Sequence, residues 1–196
     1  MKVYILGNEF DIRPSQSILS ELDGIVKNFT TNSSQNFSHM VIDGKDVHDH
    51  RAYIIENMSK INTIEIVLET EKGLVKNMLS SVQGDIDRII IDAKELSKDF
   101  AENTDRNAFM DLVPLFGKIN AIFNSFNEVE TDQNLNDKVS DYEAWNEYAK
   151  EVHTLSDKIK SLQSIMRDND VPAISEALVS DIVPVLENMK DKILNL

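Results

Sequence analysis

The chain has 196 residues, of which 41% are hydrophobic and 28% charged, a composition typical of a globular protein. It contains no cysteine, which excludes disulfide bonds, thiolate nucleophiles and metal sites built on cysteine. The formal net charge is −14, and residues 1–70 (six Lys/Arg, ten Asp/Glu) and 71–196 (fourteen against twenty-four) are both acidic. Because phosphate groups require a basic surface, we expect neither nucleic acid nor an anionic membrane as a partner.

The N-terminal residues predict a β-hairpin followed by a helix. Residues 2–6 and 10–13 are the predicted strands, with the turn at Gly7 and Asn8. Ser15 or Ser17 is then expected to cap a helix whose apolar residues recur at spacings of three and four, which predicts one buried stripe. The stripe consists of Ile18, Leu19, Leu22, Ile25, Val26 and Phe29.

A second predicted hairpin follows. Residues 37–42 form the third strand, and Asp43-Gly44 is a strong signal for a two-residue turn into a short fourth strand. Residues 49–58 are a predicted short helix or turn. Residues 63–69 are the last strand, and alternation places three of their apolar side chains on the inner face. These three are Ile64, Ile66 and Leu68.

This order of elements resembles the ubiquitin-like β-grasp fold, in which a mixed sheet wraps one helix. The resemblance covers residues 1–70 and depends on the order strand, strand, helix, strand, short strand, short helix, strand. It implies a protein-binding module. Ubiquitin and the bacterial sulfur carriers of this fold act through a free C-terminal Gly-Gly, whereas residues 70–73 here continue into a predicted long helix. Carrier or conjugation chemistry is therefore not implied.

The segment GKDVHDHR (residues 44–51) contains two of the four histidines, His48 and His50. This spacing places two side chains on one face of a strand, but about 200° apart on a helix. His39 or Asp46 could supply a further metal ligand, yet the spacing matches no established metal signature. We therefore expect no metal and no cofactor here, and Asp49 is expected to be a helix N-cap. A metal-dependent enzyme that uses His39, His48 and His50 is the alternative.

From Leu74 onward the hydrophobic period becomes helical. The first long helix has apolar residues at alternating steps of four and three, which is typical of packed helices. They are Val75, Leu79, Val82, Ile86, Ile89, Ala93, Leu96 and Phe100. Residues 103–105 are the predicted turn. The second helix carries Phe109, Leu112, Val113, Phe116, Ile119, Phe123 and Phe126, and three of its phenylalanines are seven residues apart.

Two more helices are predicted after an acidic linker at residues 127–137. The expected inner side of the third helix is formed by Tyr142, Trp145, Tyr148, Ala149, Val152, Leu155, Ile159, Leu162 and Met166. Pro172 suits the first turn of the fourth helix. That helix carries Ile174, Leu178, Ile182, Val183, Leu186, Met189 and Ile193 on its apolar side.

An internal repeat relates the helices at an offset of 70 residues. Residues 111–116 read DLVPLF and residues 181–186 read DIVPVL. A proline within a helix removes one hydrogen bond, so we expect kinks at Pro114 and Pro184. The predicted fold is α+β: a β-grasp-like module at residues 1–70, then a four-helix bundle at residues 71–196 made of two related hairpins. The hairpins span residues 71–127 and 138–195.

Function is predicted from this architecture. Two equivalent kinks could open a groove, although we favour the alternative that they only bend the helices around the core. We expect a non-catalytic, cytoplasmic interaction or chaperone-like protein that binds a protein partner or client peptide, possibly basic, and whose sheet edge could form a homodimer. The expected partner-binding residues are Phe109, Pro114, Phe116, Trp145, Tyr148 and Pro184. The composition is similar to that of bacterial secretion and flagellar chaperones, and a structural or assembly component is a further alternative.

Overall fold

The computed structural model describes residues 1–31, 33–47, 49–102, 106–131 and 135–196. The chain divides into two compact units, Met1–Leu74 and Val75–Leu196, and each unit has its own hydrophobic core. The protein is α+β, because a five-stranded mixed sheet with helices precedes a long helical region. From the sequence, we predict the boundary between the two parts of the chain between residues 70 and 71.

The N-terminal unit contains five strands and two helices among the described residues. They are β1 (Lys2–Ile5), β2 (Asn8–Asp11), α1 (Ile18–Thr30), β3 (Gln35–Ile42), β4 (Lys45–Val47), α2 (His50–Asn57) and β5 (Thr63–Thr70). The strand order is β2-β1-β5-β3-β4. The central strands β1 and β5 are parallel, with Ile5 opposite Ile66, and the other pairs are antiparallel. Parallel neighbours require a crossover, which the intervening residues provide.

The first hairpin turns earlier than its sequence predicts. Leu6 and Gly7 are its central residues, with φ values of 46° and 77°, and β2 therefore begins at Asn8. A two-residue hairpin turn of type I′ requires positive φ at both central residues, and leucine rarely adopts such a conformation. The predicted turn at Gly7 and Asn8 is therefore wrong by one residue, since Leu6 carries no turn signal.

The second hairpin is confirmed at Asp43 and Gly44, whose φ values are 47° and 79°. The Asp43 carboxylate accepts hydrogen bonds from the backbone N–H groups of Thr63 (2.8 Å) and Asn62 (3.1 Å). The Thr63 N–H is the main cause that lowers the pKa of Asp43. One carboxylate thus connects the β3–β4 turn to the start of β5.

Several local predictions for this unit are confirmed and one is wrong. The inner-face residues of β5 are buried: Ile64, Ile66 and Leu68. The Asp49 carboxylate caps α2 and accepts from the Ala52 N–H at 3.2 Å. Ser17 precedes α1, but its side chain makes no capping bond. Its hydroxyl instead bonds the Glu21 carboxylate at 2.7 Å, since that acceptor lies one turn ahead.

The second unit is helical in the residues described. Its elements are α3 (Glu71–Glu102, whose first turn precedes the unit boundary), α4 (Arg106–Glu130), α5 (Leu135–Lys138), α6 (Tyr142–Arg167), α7 (Val171–Ala177), a π-helical turn (Leu178–Ile182) and α8 (Val183–Ile193). The turn predicted at residues 103–105 lies outside the described residues. The predicted linker is shorter than expected, because α4 continues to Glu130 and α5 forms within its C-terminal part.

The long α3 seam is confirmed, and of the seven apolar residues expected on α4, three are buried and three are half-buried against the core. All eight residues of the α3 seam are buried. On α4 the buried side is formed by Leu112, Leu115, Ile119, Ile122, Phe126 and Val129. Val113, one of the apolar residues expected on α4, is 69% exposed, and Tyr142, expected on the inner side of α6, is 50% exposed, so neither belongs to the core. Because apolar residues occur nearly all round α4, periodicity alone does not select its buried face.

The last predicted helix begins as expected but is interrupted. The Asp170 carboxylate accepts from the Ala173 N–H at 3.1 Å, and Pro172 lies in the first turn of α7. The π-helical turn then separates α7 from α8, and the Val183 N–H bonds the Leu178 carbonyl five residues back. Pro184 follows directly, in the first turn of α8.

Candidate partner-binding surface

An uncharged, exposed strip runs along α4. Met110 is 71% exposed and Val113 69%, and these are the two most exposed large hydrophobic side chains among the described residues. Pro114 and Gly117 are also exposed. At 100° per residue, these four positions fall within an arc of about 100°. We call Met110, Val113, Pro114 and Gly117 the α4 outer face.

An open cavity of ≈ 270 Å³ lies between α3 and α4 and borders this face, because Pro114 belongs to both. Its α3 side is lined by Asp92, Glu95, Leu96 and Asp99, and its α4 side by Asp111, Pro114, Leu115 and Lys118. The three acidic residues of α3 are spaced by three and four, which places them on one helical face. We call this the acidic cavity.

The acidic cavity is only partly neutralised. Four carboxylates and one ammonium group line it, which gives a formal charge of −3. The Lys118 Nζ contacts the Asp92 carboxylate at 2.6 Å. Within the described part of the chain, Glu95, Asp99 and Asp111 have no ion-pair partner. A cleft of one charge sign attracts the opposite sign, so the cavity favours a cationic group.

The phenylalanines predicted to bind a partner flank the core side of α4. Phe109 and Phe116 are half-buried and pack against the core of the helical unit. The Phe109 ring meets that of Phe100 edge to face, with centroids 5.1 Å apart. Phe109 and Phe116 therefore lie beside the α4 outer face, and part of each ring remains accessible to a partner.

The other predicted residues lie elsewhere. Trp145 and Tyr148 are fully buried in the core. The Trp145 ring stacks on Phe126 at 5.5 Å, its indole N–H donates to the Glu130 carboxylate at 2.6 Å, and burial raises the pKa of Tyr148. A partner could contact these two rings only if the core opened. Pro184 is exposed, but on α8.

Sequence reasoning missed Met110, Asp111 and the acidic residues of α3. Met110 and Val113 resemble core residues in the sequence because apolar residues occur on most sides of this helix. One available signal was the absence of charge at Met110, Val113 and Gly117, in a chain where 28% of residues are charged. The spacing of Asp92, Glu95 and Asp99 was another such signal.

The histidines make ordinary contacts in the structure. The His39 Nε2 lies 3.6 Å from the Asp46 carboxylate, and its Nδ1 lies 3.0 Å from the Ser38 hydroxyl. The His50 ring meets Phe37 edge to face at 5.2 Å. His48 lies outside the described residues. Among the residues that are described, no group of three or more His, Asp or Glu side chains could hold a metal ion.

Comparisons with known proteins find no relative: no family model, no curated protein and no solved structure matches this chain. In the described ranges, no helix combines the length and the apolar character needed to cross a membrane. The functional assignment therefore depends on the geometry of the α4 outer face and the acidic cavity.

Proposed function

We propose that this chain is a non-catalytic, cytoplasmic interaction protein, an adaptor or chaperone-like protein that binds a protein or helical client. The observation that carries this proposal is the exposure of Met110 and Val113, three residues apart on one helix. Burial of either side chain against a partner would contribute about 1.5–3 kcal/mol. Helix-binding surfaces commonly use such flexible or branched apolar residues as anchors.

The proposed architecture matches this role. We propose that residues 71–196 form a four-helix bundle of two related hairpins, α3 with α4 and α6 with the α7–α8 segment. One shared core and the repeated Asp-x-Val-Pro motif support this arrangement. For the N-terminal unit we propose a ubiquitin-like β-grasp, supported by the order β2-β1-β5-β3-β4, the parallel central pair and the position of α1 between β2 and β3.

The proposal is tested by affinity capture from a lysate of the source organism. Wild-type protein is compared with the double variant Met110→Ser/Val113→Ser and with Leu194→Ser, a control whose side chain is similarly exposed, at 66%. We expect one specific protein to be retained by wild type and by the control, and to be lost from the double variant. All three proteins should show the same circular dichroism, because the substituted side chains are exposed.

Two results would contradict the proposal. One is that wild-type protein retains nothing beyond the bare matrix. The other is stoichiometric zinc or iron in protein purified without a histidine tag, since an interaction protein needs no metal. The second result would favour the metal-dependent enzyme that His39, His48 and His50 suggest. A defined oligomer with no other partner would instead favour a homodimer or an assembly component.

A further inference from the structure

The two copies of the Asp-x-Val-Pro motif differ in what covers their valine. Val183 is 3% exposed and belongs to the core of the helical unit. Val113, at the same motif position, is 69% exposed. The chain therefore covers one copy itself, and the described residues leave the other copy uncovered.

The aspartates of the two copies differ in the same way. The Asp181 carboxylate is paired with the Lys158 Nζ of α6 at 2.5 Å. Asp111 lines the acidic cavity and has no ion-pair partner within the described ranges. In the second copy, α6 thus supplies a lysine for the aspartate, and the core of the same unit covers the valine. The second copy therefore shows what the first copy lacks, namely a cationic side chain for its aspartate and an apolar surface over its valine.

Charge selects the kind of partner that can supply them. A second copy of this chain has a net charge of −14, and a symmetric dimer would place each acidic cavity next to the partner's equivalent surface. Like charges brought together in this way oppose association. A segment with Lys or Arg next to apolar residues instead complements both the cavity and the α4 outer face.

We infer that the α4 outer face and the acidic cavity bind a basic amphipathic helix of another protein. This inference rests on the proposed function and names the partner class and its site. Apolar side chains of the helix pack on Met110 and Val113. A neighbouring Lys or Arg enters the cavity from its open side and pairs with Asp99, Asp111 or Glu95. Pro114 joins the two subsites, since it lines both.

The probe is a fluorescein-labelled synthetic peptide of about 14 residues, roughly four helical turns, with Leu at spacings of three and four and Lys elsewhere. Two control peptides have Glu in place of Lys, or the same residues in an order that leaves no apolar stripe. We expect wild-type protein to bind only the first peptide. Raising the ionic strength from about 0.1 M to about 1 M shortens the Debye length from ~10 Å to ~3 Å and should weaken this binding.

Matched variants separate the site from the overall charge. Asp99→Lys/Asp111→Lys reverses two carboxylates of the cavity, and we expect affinity for the Lys peptide to fall about tenfold or more. Asp168→Lys/Asp191→Lys makes the same change in net charge at exposed positions outside the cavity, and we expect less than about a threefold loss there. Val113→Ser should lower affinity about fivefold, roughly 1 kcal/mol, whereas Leu194→Ser should leave it unchanged.

The inference is overturned if wild-type protein does not bind the Lys peptide, if both control peptides bind equally well, or if the two charge-reversal variants lose the same affinity. The partner captured from lysate distinguishes this failure from failure of the proposed function. If that partner still binds Asp99→Lys/Asp111→Lys and Met110→Ser/Val113→Ser, the inferred site is wrong and the interaction role stands. If wild-type protein captures no partner, the proposed function itself fails.

Discussion

The segments Asp111–Phe116 and Asp181–Leu186 have nearly the same sequence and different structures. The first lies within the continuous helix α4, where Pro114 is tolerated in the interior. The second contains the end of a π-helical turn and the start of α8. The difference shows that nearly the same proline motif is compatible with two helical geometries, a regular α-helix and one interrupted by a π-helical turn.

The π-helical turn changes which residues face the core. In α4, Leu112 is buried and Val113 is exposed, since adjacent helical residues point about 100° apart. In the second segment Ile182 and Val183 are both buried. A π-helical turn contains an extra residue, which shifts the following helix in register and is compatible with burial of both side chains. Pro184 lies directly after this turn, where the hydrogen-bond ladder of the helix is already irregular, so its missing N–H removes less than in a regular helix.

The largest expected difference in stability is between aspartate substitutions at Val183 and at Val113. Val183→Asp buries an unpaired carboxylate and should lower the free energy of unfolding by roughly 3–5 kcal/mol. Val113→Asp should change it by less than about 0.5 kcal/mol, because this side chain is exposed. Urea denaturation measured by the fluorescence of Trp145, the chain's one tryptophan, reports on the helical unit. A loss above about 2 kcal/mol for Val113→Asp would mean that Val113 is covered.

Replacement of each proline by alanine tests how much that proline destabilises the helix in which it lies. Pro114→Ala restores an N–H for the Met110 carbonyl and removes the clash of the ring, so the free energy of unfolding should rise by about 1–3 kcal/mol. Pro184→Ala should change it by less than about 1 kcal/mol, since the hydrogen-bond ladder beside Pro184 is already irregular. Thermal unfolding of both variants provides the measurement. Equal shifts of the unfolding temperature in the two variants would show that the π-helical turn does not lower the energetic cost of Pro184.

Two hydrogen bonds connect α3 to α7, the helix that precedes the π-helical turn. The Ser97 hydroxyl donates to the Ser175 carbonyl (2.9 Å), and the Ser175 hydroxyl donates to the Ser97 carbonyl (2.7 Å). Ser97→Ala should lower the free energy of unfolding by about 1 kcal/mol, because it removes one of two largely buried bonds. Ser81→Ala is the control, since the exposed Ser81 hydroxyl bonds only its own helix. If both variants unfold at the same urea concentration, the contact does not stabilise α7.

The smallest expected effect concerns the two aspartates. Asp181→Asn removes the ion pair with Lys158 and should lower the free energy of unfolding by about 0.5–1 kcal/mol. Asp111→Asn should leave it unchanged or raise it by up to about 0.5 kcal/mol, because Asp111 shares a cavity with other carboxylates. Urea titrations at low and high salt measure both, and the Asp181 effect should shrink in salt. A larger loss at Asp111 would indicate a partner for that carboxylate within the chain.

Much of the local structure could be predicted because single residues determine it. Asp43-Gly44 accepts positive φ, Asp49 caps a helix, and Pro172 suits a first helical turn. The first hairpin could not be placed correctly, since Leu6 adopts a conformation that its side chain disfavours and that only strand pairing enforces. Local chemistry is therefore a good guide to turns and caps, and a poor one where pairing overrides it.

The candidate site was only partly predictable. Pro114 can be identified from the sequence, because a proline within a helical pattern is visible there. Trp145 and Tyr148 are buried although their aromatic rings suggest a binding surface, because aromatic content does not distinguish a core cluster from a surface one. Met110 and the acidic cavity needed the structure, because the cavity is formed by residues of α3 and α4 that are distant in sequence.

The sequence by itself determined the order of the strands and of the main helices, the buried seam of α3, and the helical setting of Pro114 and Pro172. These features depend on period, turn chemistry and missing N–H groups, all of which act over a few residues. Only the tertiary structure decided which face of α4 is buried, why Val183 is covered and Val113 is not, and where the acidic side chains meet. Those outcomes depend on which distant surfaces pack together, because an apolar residue is buried only where another element covers it.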